Sequence, residues 1–226
     1  MIMDTGYLII AGVAALISAF VRNRMMATMK KLSQIGLSSG LSGQEVAERM
    51  LGDFNIHDVR ITSTRGTLTD HYNPLNKSVN LSEWVYSPAS IAAAAVSAHE
   101  VGHAVQHATS HPLLKFRSAI VPVLKFASPV APYVIMAGLG LGMLQLAWAG
   151  VALFGISTLF AVITLPVEFD ASKRALAWLE EKGITRGEET ALAKKGLFWA
   201  AMTYVVAALT SLAYLLYFVS LIQGRD

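Results

Sequence analysis

Uncharged apolar stretches alternate with polar stretches along this chain of 226 residues. A helix needs about 20 apolar residues to cross a bilayer core. Four stretches approach or exceed that length, and we expect membrane spans at about residues 6–21, 126–145, 147–165 and 198–222. The first is short, but basic residues follow it rather than precede it, which favours a retained anchor over a cleaved signal peptide. The second and third form one apolar run, for which we expect a tight turn near residues 146–150.

Two polar regions, residues 22–117 and 168–197, separate these spans. They contain sixteen of the 18 Lys and Arg residues, and only Lys125 and Arg225 lie elsewhere. Because two spans lie between the regions, both face the same side of the membrane. The positive-inside tendency makes that side the cytoplasm, and both chain ends are then expected to face outward.

The first polar region carries local signals for a helix and a small sheet. Ser42 and Glu45 have the spacing of a capping box, which predicts that a helix begins there. Alternation of apolar and polar residues indicates half-buried strands at residues 59–62 and 78–82. The segment Val79–Tyr86 is either an ordinary strand or an edge strand on which an extended substrate could pair.

A second helix is predicted over residues 89–108. Ser87 is a good N-cap, Pro88 suits the first helical position, and an alanine-rich run follows. This helix contains the sequence HEVGH at residues 99–103.

The composition narrows the class of protein. Hydrophobic residues make up 54% and charged residues 15%, and mean hydropathy is +0.50, so much of the chain is expected to lie in lipid. There are no cysteines, so a bound metal must be held by His, Asp or Glu. The net charge is +3, but no segment mixes basic and aromatic residues as a nucleic-acid surface would, so we expect no nucleic-acid partner.

The HEVGH sequence has the spacing of a metal site. On a helix, His99 and His103 share one face and can direct two imidazoles at one ion. Glu100 lies beside the ion, where it can act as general base for the water that zinc activates. The alternative, a polar helix face that merely contains histidines, is less favoured because the motif falls within a well-capped helix.

The other histidines are not expected to be ligands. His107 lies eight residues beyond His99, about 12 Å along a helix axis at 1.5 Å per residue, which is too far for one zinc. His57, His71 and His111 are interpreted as ordinary polar residues.

A catalytic zinc needs a third protein ligand and an open position for water. Glu168 and Asp170 lie where the third predicted span ends, on the same predicted side as HEVGH, and the segment after them is expected to be helical. Either carboxylate could be the third ligand. The alternative for both is an ordinary charged residue at a membrane boundary.

HEVGH in an alanine-rich helix, followed by VEFDASKRAL between apolar spans, resembles the bacterial membrane-bound neutral zinc metallopeptidases, the YugP-like family. NPLNKSVNLSE before the helix and TYVVAAL in the last span are similar to that family too, so the likeness covers nearly the whole chain. A more distant resemblance is to the CAAX prenyl protease and heat-shock membrane protease clan, whose pattern is HExxH with a later ExxAD.

The resemblance implies roles by position: zinc ligands His99, His103 and Glu168, and general base Glu100. Ala171 also fits the ExxAD pattern, but the aspartate thought to hold a zinc histidine in place falls on Ser172. Asp170 is then either the orienting residue or itself the ligand, and the resemblance favours Glu168 as the ligand.

The implied protein is a mostly α integral membrane protein forming one domain, residues 1–226. About four transmembrane helices accompany a small α+β zincin-like cytoplasmic domain that carries the HExxH helix. The implied activity is a gluzincin-type endopeptidase with one Zn²⁺ per chain, acting on peptide or membrane-protein substrates at the cytoplasmic surface of a bacterial membrane. The alternatives are an intramembrane site-2-type protease and a non-catalytic membrane scaffold with a structural metal; the sequence does not indicate an oligomeric state.

Overall fold

The structure is a computed structural model that describes residues 4–224. In chain order its elements are α1 (Thr5–Ser33), α2 (Gly43–Asp53), β1 (Arg60–Thr64), β2 (His71–Asn73), β3 (Ser78–Ser82), α3 (Glu83–Tyr86), α4 (Ile91–Ala108), α5 (Pro112–Gly140), α6 (Leu144–Glu181) and α7 (Glu188–Gln223). The extreme ends predicted to face outward include residues 1–3 and 225–226, which lie outside the described residues.

Within residues 4–224, four helices are long and apolar enough to cross a membrane: α1, α5, α6 and α7. The prediction of a mostly helical protein with four long apolar helices and a small sheet is confirmed. The turn between α5 and α6 lies at residues 141–143, earlier than the predicted 146–150. Gly142 has a φ of +69°, a left-handed conformation that glycine adopts without strain, so the chain reverses there.

The chain divides into two compact units. The first, called here the apolar unit, contains residues 4–22, 115–166 and 202–224. Its buried residues include Ile135, Val151 and Phe218, yet large apolar side chains such as Leu16 and Phe126 are 74% and 77% exposed. Apolar side chains in such exposed positions on long helices suit contact with lipid.

The second unit, called here the polar unit, contains residues 23–114 and 167–201 and includes the sheet. The strand order is β1–β3–β2, with β3 parallel to β1 and antiparallel to β2. Val79 in β3 pairs with Ile61 on one side and Tyr72 on the other, so β3 is the central strand. Of the two alternatives for Val79–Tyr86, the ordinary strand is therefore confirmed for residues 79–82 and the edge strand is wrong. The short strand β2 covers that edge, and residues 83–86 form helix α3.

Capping residues fix where the helices of the polar unit begin. The predicted capping box at Ser42 and Glu45 is confirmed. Helix α4 begins at Ile91 rather than at residue 89, because Ser90, not Ser87, is its N-cap and accepts a hydrogen bond from the Ala93 amide at 3.1 Å. The Leu37 amide donates to the Ala89 carbonyl, and residues 36 and 90 form a β-bridge. These contacts keep residues 89 and 90 extended.

Helix α4 is buried along almost its whole length among α2, α3, β2 and β3. Its small residues let neighbouring backbones approach closely. At Gly102 the approach is closest to α6, since a Cβ built there would lie 2.8 Å from the carbonyl oxygen of Ala171. Gly102 therefore sets the distance between α4 and the start of the polar part of α6.

We predict that Gly102→Ala forces α4 and α6 apart. Overpacking against a backbone carbonyl, which cannot rotate away, is expected to lower the free energy of unfolding of this unit by about 1–3 kcal/mol. Thermal unfolding of the detergent-solubilised protein measures it. Gly52→Ala in α2 is the matched control, because its added Cβ would meet no described atom within 4 Å beyond the adjoining part of its own helix. An equal loss in both variants would show that helix packing at Gly102 is not the cause.

Candidate metal centre

Three side chains from two helices of the polar unit converge on one point. His99 and His103 come from α4, one turn apart, and Glu168 comes from α6. One donor atom from each lies within 4.8 Å of the other two. The Oε2 atom of Glu168 is 3.3 Å from His99 Nε2 and 3.6 Å from His103 Nε2. The structure thus brings together the three residues for which the resemblance implied a ligand role.

Glu168 reaches the histidines because of how α6 packs. Glu168, Ala171 and Ser172 lie on one face of α6 at helical spacing, and all three are buried. Ala171 provides the close contact with Gly102, so the residues on either side of it meet α4 directly. Gln106, later in α4, contacts Val167, whereas His99, earlier in α4, contacts Ser172 further along α6, so the two helices run antiparallel here.

In each of these two histidines, Nε2 is the nitrogen near Glu168, and the other ring nitrogen, Nδ1, has a protein partner. Ser172 Oγ lies 3.1 Å from His99 Nδ1, and Gln106 Oε1 lies 3.0 Å from His103 Nδ1. Gln106 Nε2 donates hydrogen bonds of 2.8 Å to both the Val167 carbonyl and the Asp170 carboxylate. Gln106 Oε1 is thus an acceptor, which assigns the proton of His103 to Nδ1 and leaves a lone pair on Nε2.

This arrangement fits zinc. Two imidazole nitrogens and one carboxylate oxygen are ligands that zinc prefers, and three protein ligands leave a fourth position open. Histidine ligands are usually oriented by a hydrogen bond at the ring nitrogen that does not bind the metal, which is Nδ1 here. The buried His–His–Glu cluster is therefore suited to hold a catalytic rather than a closed structural zinc.

Asp170, the alternative third ligand, has other partners. Its Oδ2 atom accepts from Gln106 Nε2 and, at 2.6 Å, from Arg174 Nε, and His111 Nε2 lies 3.9 Å away. The structure does not bring Asp170 into the three-donor cluster. It places Asp170 behind Gln106, so Asp170 contacts His103 only through that side chain.

Glu100 is buried beside the cluster, with 8% of its surface exposed. Burial raises the pKa of its carboxyl group above the ordinary value, and the two neighbouring histidines partly oppose this effect. A buried carboxylate next to the cluster has the position required of a general base.

The remaining histidines lie away from the cluster. His107 Nδ1 is 2.7 Å from the Tyr72 hydroxyl, and His71 Nδ1 is 2.8 Å from the Thr69 carbonyl oxygen. Sequence reasoning did not find the role of Gln106. The available signal was its position three residues after His103, on the same helix face as both histidines.

Comparison with known proteins agrees with this site. Residues 7–223 match a protein family described as "Putative neutral zinc metallopeptidase". The chain is 44% identical over 216 residues to the protein of Bacillus subtilis (strain 168) named "Putative membrane protease YugP", covering 95% of this chain and 96% of the relative. No solved structure matches the chain.

We predict that wild-type protein, stripped of metal and offered Zn²⁺ in detergent, binds about one ion per chain. Glu168→Ala should lose most of this zinc because only two imidazole ligands remain. Metal content per chain, measured by elemental analysis, tests both statements. Asp170→Ala is the matched control and should still bind zinc. Loss in Asp170→Ala with retention in Glu168→Ala would instead make Asp170 the ligand.

We predict that Gln106→Met weakens zinc binding by about 10- to 100-fold, the usual effect of removing a hydrogen-bonding partner of a ligand. Methionine has a similar length but neither accepts from His103 nor donates to Asp170. Competition with a chelator of known affinity measures the change. Gln44→Met is the matched control, since the Gln44 amide donates to Glu48 within α2. Wild-type affinity in Gln106→Met would show that Gln106 does not orient His103.

Proposed function

Because this chain belongs to the neutral zinc metallopeptidase family, we propose that it is a membrane-bound, zinc-dependent endopeptidase of the gluzincin type. The observation that carries the proposal is the buried convergence of His99, His103 and Glu168 with Glu100 beside them. The HExxH residues come from one helix, and the third ligand, the carboxylate of Glu168, comes from a later one. This division of ligands defines a gluzincin site.

The two histidines and Glu168 would hold the metal, one ion per chain. A zinc ion there would supply Lewis-acid chemistry, lowering the pKa of a bound water to about 7 and polarising the substrate carbonyl. Ser172 and Gln106 keep the two imidazoles oriented, so that both Nε2 lone pairs point at the same place.

Glu100 performs the proton transfers. Its carboxylate accepts a proton from the attacking water as the water oxygen bonds to the peptide carbonyl carbon. When the carbon–nitrogen bond breaks, Glu100 gives that proton to the leaving amine. Burial favours this role, because a carboxylate with a raised pKa is a stronger base than an exposed one.

We place this chemistry at the cytoplasmic membrane surface. Four apolar helices support membrane insertion, and the distribution of Lys and Arg supports a cytoplasmic location for the polar unit. Helix α4 is not among the four candidate spans of residues 4–224, and it packs against a sheet. This favours an interfacial zincin-like domain over an intramembrane protease. The substrates would be peptides or segments of membrane proteins near the bilayer of a bacterium.

We predict that Glu100→Gln keeps its zinc and loses peptidase activity. Glutamine has nearly the same shape but cannot accept the proton, so cleavage should slow by about 10²–10⁴-fold. The assay incubates purified protein with a mixed peptide digest of a bacterial proteome and detects internal cleavage by mass spectrometry. Metal content is measured on the same samples.

Glu180→Gln is the matched control, because Glu180 is exposed on α6. It should keep both zinc and activity. Full activity in Glu100→Gln would contradict the proposed mechanism. Zinc binding without any cleavage by wild type would favour a scaffold with a structural metal.

A further inference from the structure

A cavity of about 360 Å³ lies beside the C-terminal half of α4. Its lining comes from the segment after α2, from β2 and the turn that follows it, and from α4. The lining residues are Ile56, Asp58, Val59, Tyr72, Lys77, Ala104, His107 and Ala108. All of them belong to the polar unit.

The cavity lies on the side of α4 that carries Glu100. At 100° per residue, Ala104 and His107 are within about 40° of Glu100 around the helix axis, whereas His99 is turned away. Along the axis, these two residues are about 6 to 10 Å beyond Glu100. An extended peptide advances about 3.3 Å per residue, so this distance corresponds to two or three residues of a bound substrate.

Half of the residues that line the cavity are apolar, and the polar ones have partners: Asp58 with Lys77, and Tyr72 with His107. Ile56 and Ala104 are buried and Val59 is half-buried. Asp58 and Lys77 form an ion pair with each other. The cavity therefore presents no uncompensated charge that would select a charged ligand.

Tyr72 and His107 form a fixed part of the wall. Their hydroxyl oxygen and Nδ1 are 2.7 Å apart. Burial, together with the nearby Asp58 carboxylate, raises the pKa of the Tyr72 hydroxyl to about 12, so it stays protonated and able to donate at neutral pH. A donor held in this way keeps the His107 ring in place.

We propose that this cavity is a specificity subsite that accepts a bulky apolar side chain of the peptide substrate, two or three residues from the cleaved bond. The inference rests on the proposed peptidase function and adds a substrate class to it. Its volume is at the lower end of the range for small-molecule pockets, which leaves room for a leucine, methionine or phenylalanine side chain. The apolar lining residues gain from burying such a side chain, whereas the polar ones are already paired with one another.

Ala108 provides the test, because it lines the cavity while being exposed. A helical side chain leans toward the N-terminus of its helix, so the ring in Ala108→Phe would lie over Ala104 and fill the cavity from its mouth. Ala108→Ser leaves the space open and is the matched control. Ala104→Leu fills the same cavity from its wall, as a second variant independent of the first.

The first measurement is the cleavage profile on a mixed peptide digest of a bacterial proteome, for wild type, both filled variants and the control. Wild type and Ala108→Ser should prefer bulky apolar residues at one position two or three residues from the cleaved bond. Ala108→Phe and Ala104→Leu should lose that preference at least 10-fold. Zinc content and thermal unfolding identify any variant that has not folded.

The second measurement uses one preferred peptide and its counterpart with alanine at that position. Filling the cavity should raise KM for the bulky peptide and leave kcat/KM for the alanine peptide unchanged. In a Glu100→Gln background, fluorescence anisotropy should show the same loss of affinity without cleavage. This binding readout does not depend on catalysis.

The outcomes separate the two proposals. Cleavage that depends on Glu100 but has the same profile in all four proteins overturns the subsite and keeps the peptidase. Absence of any cleavage by zinc-loaded wild type overturns both. A preference for charged side chains at this position also overturns the subsite.

Discussion

The close contact between α4 and α6 is the constraint on which the candidate site depends. A carboxylate as buried as that of Glu168 is unfavourable unless it faces compensating groups, and here it faces the imidazoles of His99 and His103. That pairing is available only because Gly102 has no side chain to hold Ala171 away. The glycine within HEVGH therefore has a structural purpose, since it lets Glu168, from a distant part of the sequence, reach the two histidines of the motif.

The same contact also determines which polar residues of α4 and α6 meet around the site. Gln106 and the two histidines project from α4 toward α6, where they meet Val167, Asp170 and Ser172. Gln106 is fully buried and bonded at both ends of its amide, so it has little freedom to rotate. A serine contacts one histidine and a glutamine contacts the other. Ser172 and Gln106 are both uncharged, so neither adds a charge next to the two histidines.

Local signals in the sequence were sufficient for some features and insufficient for others. The Ser42–Glu45 capping box and the one-turn spacing of His99 and His103 depend only on nearby residues, and the structure shows both. The predicted start of α4 was wrong because tertiary contacts hold residues 89 and 90 extended. No local pattern in the sequence reveals such contacts. Strand β2 is three residues long, too short for a periodic signal, and missing it made β3 look like an edge. Glu168 and Asp170 were equivalent as carboxylates near a boundary, and only the family resemblance favoured Glu168; the packing of α6 brings Glu168 to the two histidines.

Different faces of helix α4 carry the contact with α6, the two histidines and the lining of the cavity. The face with Gly102 and Gln106 contacts α6, the histidines lie beside it, and Glu100 follows at the border with the cavity side. Alanines fill the first turns, because bulky residues there would push α2 and the sheet away from the helix. A helix so completely enclosed cannot shift to suit a ligand without disturbing its neighbours. The geometry of the His–His–Glu cluster and the shape of the neighbouring cavity therefore both depend on how this one helix packs.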